Sequence, residues 1–245
     1  MRLVVTRPAA DAKRTAAALT RQGHAVDIVP LMRIESLAGA VLDNRPWSGL
    51  IFTSANAVCA AAGIAGFAAL TRLRAFAVGS RTAATVRAAG FADVVVGGGN
   101  AEALTQDLRA WAKAERDKGA PRHPLLYLAG EEVSHDLVGA LAADGEVVHT
   151  VTVYRAVKVE RFPAALDAAL GRGTVDGILH YSRRSAEAFM DCARRIGLTD
   201  QALRVAHYCV SRQAAEPLVA AGAKDVRIAE RPEEVALLAL VGDAP

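Results

Sequence analysis

Short apolar runs alternate with alanine-rich amphipathic stretches along the whole chain, beginning with MRLVVTRPAAD at the N-terminus. Runs such as Leu50-Ile51-Phe52 stop abruptly in small polar residues, here Thr53-Ser54-Ala55-Asn56, and a helical pattern follows. Continuous apolar strands of this kind, separated by helices, predict parallel sheets covered on both faces. Glycines in RQGH, AAGF, ADGE and AAGA stand where each predicted helix ends, as left-handed caps require.

The pattern occurs twice. WSGLIFTSANAVCAA returns as VDGILHYSRRSAEAF, aligning Gly49 with Gly177 and Ser54 with Ser182. LRAFAVGSRTAATVRAAGFADV returns as LRVAHYCVSRQAAEPLVAAGAKDV, and NAEALTQDL has its counterpart in RPEEVALLAL. The leading segments match too: RLVVTRP followed by ALTRQGHAVDIVPL in the first half resembles PLLYLAGEE followed by ALAADGEVVHTVTVY in the second. An internal repeat of this length predicts two similar α/β domains of doubly wound, flavodoxin-like type. Two stretches, LMRIESLAG and VTVYRAVKVE, read as extended connectors. If they are ordinary loops, each repeat folds by itself. If they are crossovers, the first two strands join the C-terminal half. Periodicity is the same in both cases.

Composition bounds the function. With 52% apolar and 22% charged residues, the 245-residue chain can bury a substantial core. Its formal charge of +3, without a lysine–arginine cluster or arm, fits an anionic small molecule and argues against nucleic acid. No run reaches the roughly 20 apolar residues of a membrane span, and the first strand is too short for a signal peptide, so a cytoplasmic protein is expected. Cys59, Cys192 and Cys209 are widely spaced in apolar contexts and are expected to be buried thiols. No metal-ligand spacing, GxGxxG or GxxxxGK[ST] motif occurs, and Gly97-Gly98-Gly99 lacks the dinucleotide spacing.

In open α/β sheets, ligands bind outside the carboxyl ends of the strands. Those ends carry hydroxyls, amides and arginines: Arg7, Ser54, Asn56, Arg81, Thr82, Ser182, Arg183, Arg184, Ser185, Ser211 and Arg212. Helix-start N–H groups and guanidinium groups suit carboxylates or phosphates. The simpler reading of Ser54, Thr82 or Ser185 is a helix cap, and that of the arginines a solvated face. Histidines 24, 123, 135, 149 and 207 show no catalytic partner. Tyr154, on the second connector, is either a strand residue at a seam or a phenol able to donate a proton.

The ordered set VVTRP, FTSANAV, AVGSRTAATVRAAGF, NAEALTQDL, TVYRAV and SRQAAEPLVAAGA resembles the uroporphyrinogen-III synthase family from about residue 3 to residue 240. The resemblance implies two flavodoxin-like domains joined by a two-stranded β linker. Domain 1 is then residues 1–33 plus 159–245 and domain 2 residues 34–157, with linker strands near 31–37 and 150–158. It implies a monomeric hydro-lyase of haem biosynthesis that needs no metal or organic cofactor. Such an enzyme dehydrates and cyclises linear hydroxymethylbilane to uroporphyrinogen III, inverting ring D through a spiro intermediate. Tyr154 matches the family's linker tyrosine, and Arg7, Ser54, Asn56, Thr82, Ser182, Ser185 and Ser211 are the expected substrate contacts. HYSRRSA departs from the usual Phe-Thr-Ser-Pro-Ser, and CVSRQAA lacks the glycine and threonine of the common form. The alternative is a non-catalytic two-domain protein binding an acidic small molecule.

Overall fold

In a computed structural model of the chain, residues 1–242 are described except Ala120, Arg122 and Ser134, and the side chains of Ala9 and Ala10. The chain begins β1 (Arg2–Val5), α1 (Ala9–Arg21), β2 (Ala25–Ile28) and β3 (Met32–Ser36). There follow β4 (Gly49–Phe52), α2 (Ala55–Ala61), α3 (Phe67–Leu70), β5 (Ala75–Ala77), α4 (Ser80–Ala88) and β6 (Val94–Val96). Next come α5 (Ala101–Asp117), β7 (Leu125–Gly130), α6 (Leu137–Ala142) and the long β8 (Val148–Lys158). The last part is α7 (Ala164–Gly171), β9 (Gly177–His180), α8 (Arg183–Arg195), α9 (Thr199–Arg204), β10 (Ala206–Cys209), α10 (Arg212–Ala220), β11 (Val226–Ile228) and α11 (Glu234–Ala239).

Two compact units result: Met1–Arg33 with Val157–Pro245, and Ile34–Ala156. Among the described residues the first unit holds a sheet in the order β2-β1-β9-β10-β11, with every pairing parallel. Counted along that unit, this is the 2-1-3-4-5 order of flavodoxin-like sheets. The second sheet runs β3-β8-β7-β4-β5-β6. Its parallel part reaches the same order when β7 and β8 are counted first. The two sequence repeats have therefore exchanged heads: the leading strand pair of each completes the sheet built by the tail of the other. At the edge of the second sheet, Leu37 N–H donates to the Val153 carbonyl and Val159 N–H to that of Leu31. Residue numbers run in opposite senses there, so β3 and β8 form an antiparallel ribbon along which the chain passes between units.

Central strands explain the unbroken apolar runs. Every residue of β4, β7 and β9 is buried. Successive side chains enter opposite faces, so Val4 and Ile178 pack in one cluster while Leu3, Val5 and Leu179 pack in another. In the second unit Leu50, Phe52, Leu126 and Leu128 face one side, and Ile51, Phe76 and Tyr127 the other. The paired glycines open β4 and β9 where a side chain would be crowded, severely at Gly177 and less so at Gly49. A Cβ on Gly177 would lie 2.6 Å from the Tyr208 ring, and one on Gly49 would lie 3.1 Å from the Arg74 carbonyl. The four expected cap glycines, Gly23, Gly90, Gly145 and Gly222, all take φ between 78° and 101°. Each donates its N–H back to the last helical turn.

One sequence expectation fails here. Cys192 and Cys209 are buried, and burial pushes their thiols up to about 11 and about 12. Cys59 is exposed instead. It occupies a solvent-facing turn of α2, whose buried side is taken by Ala57, Val58, Ala60 and Ala61.

Candidate functional site

A doubly wound sheet opens a crevice where the connections from two neighbouring strands leave in opposite directions. In the second unit that point falls between β4 and β7, and in the first between β1 and β9. The two crevices are built differently.

Beside the β4–β7 switch lies a cavity of about 420 Å³, lined in part by Thr53, Ser54, Tyr127, Gly130, Glu132 and Tyr154. Thr53 Oγ1 and Tyr127 Oη are 2.8 Å apart and tie the ends of the two strands together. Burial pushes the Tyr127 phenol up, against the opposing effect of the Thr53 bond, so Tyr127 stays neutral at physiological pH. Tyr154 reaches this cavity through an irregularity in β8. Pairing with β7 runs residue by residue to Ala129 opposite Thr152, then skips Val153 and sets Gly130 opposite Tyr154. Bulges of this kind re-aim a side chain beside a site.

Ser54 caps α2 in an extended conformation, its Oγ accepting the Asn56 N–H at 3.1 Å. The hydroxyl keeps its own proton to donate. Asn56 joins that cap through its backbone. Thr82 is not a cap: Gly79 precedes α4, and Thr82 lies inside the helix, buried. Ser185 is also no cap residue, but the third residue of α8. It completes a capping box with Ser182, accepting the Ser182 N–H while Ser182 accepts the Ser185 N–H. Ser211 caps α10, accepting the Ala214 N–H at 3.3 Å.

The β1–β9 crevice is occupied by the protein itself. Arg7 stacks 4.1 Å from the centre of the Tyr181 ring and donates to Glu234 at 2.9 Å, with Asp11 at 3.7 Å. Arg14 reaches the other Glu234 oxygen at 3.0 Å, and the buried Thr15 hydroxyl also donates to Glu234. Burial pushes the Glu234 carboxyl up, but the Thr15 hydroxyl and the two guanidinium groups outweigh it and hold the carboxyl below its usual range. In the repeat, Tyr181 follows β9 as Thr53 follows β4, and Glu234 opens α11 as Ala101 opens α5. Small residues thus leave the second crevice open where larger ones fill the first. Arg183, another candidate, is held by Glu187 at 3.0 Å and Glu216 at 2.8 Å.

The structure therefore brings Ser54 and Tyr154 to one cavity and holds Arg7, Ser182, Ser185 and Ser211 in the other unit, with Asn56 and Thr82 in the first turns of α2 and α4. Sequence reasoning missed Tyr127 and Glu234. The one signal for Tyr127 was a hydroxyl within the otherwise apolar LLYLAG; Glu234 gave none. It also passed over His180, which lies 3.1 Å from His207 in the core of the first unit. Among the described residues no group of three or more His, Cys, Asp or Glu side chains is placed to hold a metal ion. None of their helices is long and apolar enough to cross a membrane.

The family model for uroporphyrinogen-III synthase HemD matches residues 13–239. A solved uroporphyrinogen-III synthetase from Helicobacter pylori 26695 superposes with a TM-score of 0.64 at 20% identity, over 98% of each chain. A mutant uroporphyrinogen III synthase from the extremely thermophilic bacterium Thermus thermophilus gives a TM-score of 0.47 at 19% identity, over 98% of this chain and 97% of that one. No curated protein matches. The match over most of its length makes this chain a member of the uroporphyrinogen-III synthase family.

Proposed function

We propose that the chain is an active hydro-lyase that converts hydroxymethylbilane to uroporphyrinogen III, acting as a monomer in the cytoplasm. The observation that carries the reading is Tyr154 at the open strand-switch cavity of the second unit, beside Ser54 and the Thr53–Tyr127 pair. The free cysteines agree with a reducing compartment.

In this mechanism Tyr154 gives its proton to the departing hydroxyl as the carbon–oxygen bond breaks, and the pyrrole nitrogen's electron pair makes an azafulvene cation. The substituted carbon of ring D then forms the new carbon–carbon bond to the cation's methylene. In the spiro intermediate the older bond, from that carbon to the bridge joining rings C and D, breaks and re-forms at ring D's free α-carbon. That α-carbon loses its proton as the ring regains aromaticity, and the proton restores the Tyr154 phenol, so the balance is loss of one water. The cation closes readily unaided to isomer I, so the protein's contribution is largely to hold ring D for the other attack. Ser54, Asn56 and Thr82 in one unit and Ser182, Ser185 and Ser211 in the other are assigned to the substrate's carboxylates, through hydroxyls and helix-start N–H groups. Arg7 joins them only when Glu234 yields it.

The test uses freshly generated hydroxymethylbilane with and without the purified protein, separating the oxidised porphyrin isomers. A shift from isomer I to isomer III is expected. Isomer I alone, from folded protein, would overturn the assignment and leave a binding protein for acidic ligands.

A further inference from the structure

Why β7 should end in glycine has no answer in the backbone. Gly130 is absent from the glycines with positive φ, so any residue can adopt its conformation. Space is what distinguishes it. A Cβ there would lie 2.7 Å from Tyr154 Cζ, 2.9 Å from its Oη and 3.1 Å from Cε1, where ordinary contact begins at 3.4 Å. The atoms in conflict are the hydroxyl-bearing end of the ring. Other contacts anchor this residue. Val153, skipped by the bulge, is fully buried in the apolar cluster of the second unit. The Tyr154 ring packs on the same cluster. The Tyr154 carbonyl accepts the Glu131 N–H, and the Val153 carbonyl accepts that of Leu37, both at 2.9 Å.

We propose that Gly130 is a positioning residue: together with the bulge at Val153, its bare backbone lets the Tyr154 ring lie across the end of β7 and sets where the phenol oxygen stands in the cavity. The proposal rests on the reading of Tyr154 as proton donor. An alanine would displace that oxygen by roughly 1 Å, and misplacement on this scale costs on the order of 100-fold in rate.

The experiment compares the wild type, Gly130→Ala, Tyr154→Phe and the double variant, measuring kcat and KM for isomer III formation and the melting temperature of each. Gly130→Ala is expected to lower kcat about 10- to 100-fold with KM little changed. In the Tyr154→Phe background it should alter kcat less than about twofold, since no hydroxyl is left to misplace, while its effect on melting persists because the ring still collides. A wild-type kcat for Gly130→Ala, with Tyr154→Phe slowed, would overturn the proposal and leave the Tyr154 reading intact. An equal loss in both backgrounds would reduce Gly130 to a structural role. A wild-type rate for Tyr154→Phe would remove the acid and the proposal with it. If Gly130→Ala does not fold, Gly130→Ala with Tyr154→Ala decides: restored folding upholds the ring as what the glycine accommodates, and continued unfolding overturns it.

Discussion

His180 Nε2 stands 3.1 Å from His207 Nδ1, and neither residue has any exposed surface. His207 Nε2 is 3.1 Å from the Ala202 carbonyl, which can only accept, so the His207 proton sits on Nε2 and its Nδ1 accepts from His180. His180 Nδ1 is left buried without a partner. Burial holds His180 well below its ordinary value and His207 at about 4. The folded state thus binds fewer protons than the unfolded one between about pH 4 and about pH 6.5, and stability rises with pH across that window. His207 alone accounts for about 3 kcal/mol of it. Melting temperature should be flat above about pH 7 and fall steeply below about 6.5. Replacing both histidines by leucine should flatten the slope. Glu187 and Glu234 are held below 4.5, so their contributions fade at lower pH and do not mimic this window. Melting that is unchanged from pH 8 to 5 would rule out a buried neutral pair.

Glu234 separates two roles for Arg7. Glu234→Ala removes a carboxylate held by Arg7, Arg14 and Thr15, at an expected cost of about 1–3 kcal/mol. If Arg7 takes a substrate carboxylate, its competitor is gone and KM should fall several-fold. Lower stability with an unchanged KM would mean that Arg7 only anchors α11.

Ser54→Ala and Ser211→Ala each lose a cap and should cost about 1 kcal/mol. Under the proposed function both also raise KM. Thr82→Ala is the cleanest comparison, because Thr82 caps nothing; a higher KM without a cap-sized stability loss is expected. Steady-state kinetics beside urea unfolding would show it, and unchanged KM values would return these hydroxyls to a purely structural role.

Gly177→Ala should destabilise by about 1–3 kcal/mol, because the new methyl would meet the Tyr208 ring at 2.6 Å and Leu3 at 3.0 Å. Gly49→Ala meets its nearest neighbour at 3.1 Å and should cost less. Equal urea midpoints for the two variants would contradict this ordering.

Much of the fold was legible because it rests on local chemistry. Apolar runs marked the buried strands, positive-φ glycines marked helix ends, and Gly49 and Gly177 announced a shared requirement at the start of β4 and β9. What the residue pattern by itself did not carry is non-local, and the strand exchange was implied only by the family resemblance. The exchange of leading strands between repeats changes no periodicity, since β1 pairs as readily with a neighbour far along the chain as with a near one. The Arg7–Glu234 pair spans 227 positions and the Thr53–Tyr127 bond 74. Cys59 was misread because an alanine-rich helix looks apolar on every side, so composition does not reveal which face is outward.

The exchanged heads also impose a timetable on synthesis. β1 lies between β2 and β9 in its sheet, yet Gly177 of β9 is made long after Val5 leaves the ribosome. At about 5–20 residues per second the wait is roughly 10 to 35 s. During it, Leu3, Val4 and Val5 have only β2 beside them, while the uninterrupted Ile34–Ala156 segment can complete its own sheet. The nascent chain therefore carries an unpaired apolar edge through most of translation, and the α1 segment following β1 is its nearest shield against pairing with another copy.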